Sequence, residues 1–236
     1  RDLLAVQSIR YESEKYGPSN YSIYMNKDYG NVKGYTFSLT KRYDPVSKTS
    51  AFIDYTYQVT EGNSVTSGSF YYNALSGEQE EKRIVPLAWD QRHILNTNVS
   101  VGDPRNWNLG IISKLSSGWP YTPNIPDANY VPQPNSGRKP WQWRVDMRLH
   151  KNFKFGKLNY LVFMKVYNLL DRRNERYVFN DTGRAGYTYV FQSTQETQGF
   201  KNHYGEPGVH EWSEYQVRPH YYTAPRSINV GFSVDF

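Results

Sequence analysis

The chain has 236 residues and a formal net charge of +6, from 28 Lys and Arg against 22 Asp and Glu. It contains no cysteine, which excludes a disulfide-stapled secreted domain, thiolate metal sites and a cysteine nucleophile. Its basic residues form no block of five like charges, so the footprint of a nucleic-acid-binding protein is missing.

Eight strand-like segments can be marked in chain order, at 3–11, 21–43, 49–60, 92–102, 106–117, 141–153, 157–168 and 226–236. The second is long and is interrupted by Gly30 and Gly34, which predict bulges or close backbone approaches. In 49–60, Ala51, Ile53, Tyr55, Tyr57 and Val59 face away from Asp54, Thr56 and Gln58. In 141–153, Trp141, Trp143, Val145, Met147 and Leu149 share one side, and Gln142, Arg144, Asp146, Arg148 and His150 share the other. In 157–168 the apolar side is Leu158, Tyr160, Val162, Met164 and Val166. The last strand alternates from Ser227 to a terminal Phe236, with Ile228, Val230, Phe232, Val234 and Phe236 on one side. Period-two alternation predicts strands whose two faces meet different surroundings.

Short connections at Asp44–Lys48, Gly102–Asn106 and Phe153–Lys157 carry Gly or Pro at natural reversal points. They alternate with long ones at about 61–91, 118–140 and 169–225. Outer-membrane barrels have short periplasmic turns and long extracellular loops. With the C-terminus assigned to the periplasm, these three turns fall on that side and the long loops fall outside. Aromatic residues make up 17% of the chain while mean hydropathy is only −0.78. That fits spanning strands of about 9–11 residues with one lipid face and aromatic girdles. No run approaches the roughly 20 apolar residues of a membrane helix.

Five stretches in order, YMNKDYGNVKGYTFSLTKRY (24–43), PLAWDQRHILNTNVSVG (86–102), NWNLGIISKLSSGWPYTP (106–123), WRVDMRLHKNFKFGKLNYLVFMKVYNLLDRRN (143–174) and PRSINVGFSVDF (225–236), resemble the C-terminal part of the barrel of TonB-dependent outer-membrane receptors. Their marks are N-x-x-x-G-x-x-x-G, W-D-Q-R-H, S-G-x-P-Y and N-L-x-D-x-x-N, together with the terminal strand. The resemblance implies an all-β fold: a transmembrane antiparallel β-barrel of 22 strands, of which residues 1–236 supply the last eight. It also implies an N-terminal plug, a segment engaging a TonB-type energy transducer, and a signal peptide, none of which is recognisable here. Asn229, Gly231, Val234 and Phe236 resemble the signal read by the barrel-assembly machinery, which would act by strand addition. The expected setting is the lipid of the bacterial outer membrane, and the expected function is active uptake of a scarce or bulky solute.

No catalytic constellation, cofactor site or metal site emerges, and the chain does not read as an enzyme. His210, Glu211 and Glu214 lack a helix that would aim them together. Arg144, Asp146, Arg148 and His150 form a polar ladder expected to face the lumen. There it would contact the plug, line a transport route or stabilise the wall. Trp119, Tyr121 and Tyr130 are candidate ligand-stacking aromatics in an outward loop. Tyr187, Tyr189, Tyr204, Trp212, Tyr221 and Tyr222 are the equivalents in the longest loop. The alternatives are a self-contained eight-stranded barrel with an adhesive or structural role, a secreted carbohydrate-binding β-sandwich, and a receptor serving as scaffold in a larger assembly.

Overall fold

The structure, a computed structural model, describes residues 2–13, 17–63, 83–124, 132–189 and 218–235. All described regular structure is extended apart from a single 3-10 turn, Pro219–Tyr221. Eleven strands form: β1 (Asp2–Ser13), β2 (Gly17–Asp44), β3 (Thr49–Gly62), β4 (Val85–Pro86), β5 (His93–Asp103), β6 (Trp107–Ser116), β7 (Pro120–Tyr121), β8 (Gly137–Arg138), β9 (Gln142–Phe155), β10 (Leu158–Tyr167) and β11 (Ser227–Asp235). Each of the eight segments read from the sequence is one of the longer strands. The short strands β4, β7 and β8 were not anticipated, because two-residue pairings leave no periodicity to read.

The long strands follow one another in the order β1-β2-β3-β5-β6-β9-β10-β11, with every neighbouring pair antiparallel. This is a meander. It is open among the described residues, because β1 and β11 stand at its two ends and do not pair with each other.

β1 pairs with β2 from Gly17 to Tyr29, and β3 pairs with β2 from Gly30 to Asp44. β1 and the first half of β2 make a hairpin of roughly 40 Å beyond the level where β3 ends.

Register aligns the side chains into rows. Lys41, Ala51, Val99, Ile111, Met147, Val166 and Ile228 are successive cross-strand partners and share one face. Phe37, Tyr55, Leu95, Leu115 and Trp143 form a second row on that face. On the opposite face run Ser50, Ser100, Gly110, Arg148, Lys165 and Asn229. A one-residue slip at any pair would exchange the faces of every strand beyond it.

Among the described residues no second layer covers either face. Phe37 is 62% exposed, Phe232 77%, and Ile112 on the polar face 56%. Among the described residues the buried apolar side chains are Val85, Leu87, Val145, Val166, Val178 and Ala185. Four of these lie in the connections. Val145 and Val166 lie where the chain leaving β10 folds back, with Leu169 N donating to the Val145 carbonyl at 2.7 Å. The core thus sits at the long-loop end of the sheet, not beneath it.

Gly34 is a close approach and not a bulge, since β2 and β3 pair without interruption on either side of it. A Cβ there would overlap the Tyr57 carbonyl, while one at Gly110 would meet only the Arg148 carbonyl, at 3.9 Å. Gly34→Ala should therefore cost about 1–3 kcal/mol of stability. Gly110→Ala should be neutral or slightly stabilising. Urea midpoints check both, and equal effects of the two substitutions would contradict the assigned β2–β3 register.

Candidate functional site

The long-loop end of the sheet is held together by side chains that reach far along the sequence. Asp90 is fully buried. Its Oδ1 accepts from Thr60 N at 2.7 Å, and its Oδ2 accepts from Arg92 Nε at 2.8 Å and from Arg138 Nη2. Arg138 Nη1 also donates to the Asp90 carbonyl at 2.5 Å. Gln91 Nε2 donates to the Ser117 carbonyl at 2.9 Å, and the Ser117 hydroxyl accepts from His93 N at 3.0 Å. A Cβ on Gly118 would overlap the Lys139 carbonyl. The W-D-Q-R-H and S-G-x-P-Y motifs are therefore one device, which joins β3, the start of β5, the end of β6 and the β7–β8 ribbon.

N-L-x-D-x-x-N is a second such device. Asn168 and Asp171 take positive φ of 54° and 50°, as Asn and Asp readily do. Asn168 Nδ2 donates to the carbonyls of Arg172 and Ala224 at 3.2 and 3.0 Å. Asp171 Oδ1 accepts from Arg226 N at 2.8 Å, and Asn174 exchanges hydrogen bonds with both backbone groups of Trp143, each at 2.9 Å. The motif ties the end of β10 to the starts of β9 and β11.

Arg144, Asp146, Arg148 and His150 alternate along β9 on the polar face. Asp146 Oδ1 accepts from Arg144 Nε at 2.9 Å and from Asn168 N at 2.8 Å, so this carboxylate also fixes the second device. Arg144 lies over the Tyr167 ring at 5.9 Å, and His150 Nε2 lies 3.4 Å from the Pro104 carbonyl.

The outward aromatics separate. Trp119 is 42% exposed. Tyr121 is half-buried, with its ring against Gly137 and its hydroxyl against Gly183, and burial pushes its pKa up, followed by the charge of Asp181. It wedges two loops together. Tyr187 and Tyr189 meet edge-on at 5.7 Å and are exposed. Tyr221 packs on Tyr177 and Phe179 at 5.9 and 5.2 Å, with Arg218 over the Phe179 ring at 5.0 Å. Beside it a cavity of about 440 Å³ is lined by Arg173, Gly186, Arg218, Pro219, Tyr222, Thr223 and Pro225. Glu175 closes the neighbouring loop, accepting from Arg184 Nη2 at 2.8 Å and from Ala185 N at 2.6 Å. Tyr130, Tyr204, Trp212, His210, Glu211, Glu214 and Phe236 lie outside the described residues. Among the described residues no three His, Asp or Glu side chains gather as metal ligands.

In the terminal strand, Asn229 pairs with Lys165, Gly231 with Phe163 and Val234 with Tyr160. A Cβ at Gly231 would meet the Phe163 ring at 2.5 Å. The glycine therefore leaves room for an aromatic ring from the neighbouring strand, a packing requirement separate from any recognition role. Sequence reasoning missed Arg138 and the Arg173–Arg218 cavity. No spacing signal leads to them, because their partners lie tens of residues away and are brought near only by the meander.

Comparison with protein-family models, with curated proteins and with solved structures found no match.

Burial alone would raise the Asp90 pKa, but hydrogen bonds from Arg138, Arg92 and Thr60 N outweigh it and hold the carboxyl below its ordinary 3.8. A depressed folded-state pKa stabilises above the ordinary value and loses that contribution as pH falls below it. Acidification below about pH 4 should therefore loosen the long-loop end, detected as faster proteolysis of the β6–β9 connection. Asp90→Asn should produce the same looseness at pH 7, costing about 2 kcal/mol once the part-exposed arginines are allowed for. Equal protease resistance in wild type and variant would contradict the lock.

Proposed function

We propose that this chain forms part of the wall of a TonB-dependent outer-membrane receptor that takes up a scarce or bulky solute. Its apolar face meets lipid, its polar face meets the lumen, and its long connections lie outside the cell. The remaining strands and the plug would come from the rest of the protein, with energy from a TonB-type partner and insertion by the barrel-assembly machinery.

One observation carries the membrane reading: the apolar band runs diagonally across the rows. On β2 it is bounded by Lys33 and Lys41 and centred on Phe37, and the Lys41 row arrives at Ile228 on β11. On β11 the band begins at Ile228 and continues to Val234. Its centre has moved by about seven residues over six strand-to-strand steps, and with ~3.3 Å per residue and ~4.8 Å between strands that drift corresponds to roughly 40°. Strands of outer-membrane barrels tilt by about 35–45°. A band of constant height crossing tilted strands must drift in this way. A water-soluble sheet has no reason to keep a level boundary.

The ends of the band agree with a lipid boundary. Tyr35, Tyr55, Tyr57, His93 and Trp141 make a chain of ring contacts 5.1–6.4 Å apart toward the long loops. Phe153 and Tyr160 stack at 5.3 Å toward the short turns. Two lysines on the apolar face reach toward that turn end: Lys41 Nζ donates to Thr49 Oγ1 at 2.6 Å and Lys151 Nζ to Asn106 Oδ1 at 2.5 Å. Both follow the snorkelling habit of lysine at an interface. A sandwich would need a covering layer over Phe37 and Phe232, and their exposure speaks against one.

Ile111→Arg places a charge in the middle of the apolar band and should cost about 2–4 kcal/mol of folding free energy in bilayers. Asn98→Arg on the opposite face should cost little. Folding yield into lipid vesicles checks the pair, and equal penalties would remove the lipid assignment. Uptake is tested in cells carrying the full-length protein: solute accumulation should stop when a protonophore collapses the inner-membrane gradient. Accumulation that persists would make the protein a passive pore or a structural barrel.

A further inference from the structure

The polar face carries an imbalance of charge that its neighbours do not correct. Lys114 on β6 stands directly opposite Arg144 on β9, and Arg148 on β9 stands directly opposite Lys165 on β10. Like charges in directly opposed cross-strand positions destabilise a sheet. Two such rungs, on adjoining strands four residues apart, are an arrangement that a self-satisfied wall would avoid.

Asp146 sits between the rungs and is already engaged by Arg144 Nε and Asn168 N. Asp54, two strands from Lys114, takes the Ser38 hydroxyl at 2.6 Å. Among the described residues no carboxylate forms an ion pair with Lys114, Arg148 or Lys165. The partners across from Lys114 and Lys165 on their other sides are Asn96 and Asn229, which are neutral. Lys114, Arg144 and Arg148 are exposed. The rungs are about 13 Å apart along β9, the length of a small linear polyanion.

A second observation points to the same chemistry. Beyond the long-loop end of β10 and β11, the cavity of about 440 Å³ presents Arg173 and Arg218 beside Tyr222. Cationic groups therefore stand both at the mouth and on the wall below it. Aligned charge of one sign focuses the field along such a path and raises the local concentration of the opposite ion.

We propose that the solute is a polyanion, bearing several carboxylate, sulfate or phosphate groups, and that Lys114, Arg144, Arg148 and Lys165 bind it on the polar face. The proposal rests on that face being a solute path, as in the function proposed above. Asp146 is a positioning residue in this site, because it holds Arg144 against the wall while Arg148 and Lys165 stay available to the ligand.

The test uses the full-length protein in detergent, with tripolyphosphate as probe and tetraethylene glycol as an uncharged molecule of similar length. Calorimetry should show tripolyphosphate binding that weakens as salt is raised, and no binding of the glycol. The double variant Arg148→Gln/Lys165→Gln should bind the probe at least tenfold more weakly, and Lys48→Gln, in the β2–β3 turn, should bind it as the wild type does. Unchanged binding by the double variant would overturn the proposal, as would a wild type that ignores the probe. So would a double variant that loses protease resistance elsewhere in the full-length protein while the wild type ignores the probe, since the rungs would then serve an acidic polypeptide segment. Folding into vesicles is measured on the same samples, so failure to bind by a protein that still inserts counts against the polyanion alone.

Discussion

Register is the constraint on which everything else depends. Seven strands pair in sequence, and the row that starts at Lys41 continues across the sheet from β2 to Ile228 on β11. The pleat turns that continuity into two surfaces, one apolar and one polar, and among the described residues no second layer covers either. A single sheet with an exposed apolar face is unstable in water, since burying that face is the main source of stability for a domain. In the function proposed above that face meets lipid, and the diagonal drift of the band is what a level boundary crossing tilted strands would give.

Given such a sheet, the loops follow a different logic. They gather the buried carboxylate, the buried asparagines and the small apolar core at one end. Asp90 and Asn168 each satisfy several backbone or arginine donors from distant segments, so the order of the long-loop end depends on a few polar centres. Polar locks fix the positions of loops without requiring an apolar core.

Much of the wall was legible in the sequence because its physics is local. Alternation in 141–153, 157–168 and 226–236 needs only neighbours two residues apart, and the turns at Asp44, Asp103 and Gly156 need only four or five. The motif residues Asp90, Gly118, Asn168 and Asn174 stood out as a pattern, but their work as locks depends on partners such as Arg138 and Trp143. The ladder on β9 was visible as a polar face. Its opposition to Lys114 and Lys165 needed the register of three strands at once. Tyr121 read as a candidate stacking aromatic, but Gly137 of its own connection and Gly183 of the longest loop lie against its ring and hydroxyl, which no local pattern shows.

The most direct measurement uses the absence of cysteine. Single cysteines introduced along β2, β6 and β11 can carry spin labels, whose collision with oxygen, concentrated in lipid, and with a polar nickel chelate, confined to water, reports the surroundings of each position. The account predicts oxygen access that alternates with period two in vesicles, with its depth maximum near Phe37 on β2 and between Val230 and Phe232 on β11. Labels that show no alternation, or a maximum in the same row on every strand, would contradict it.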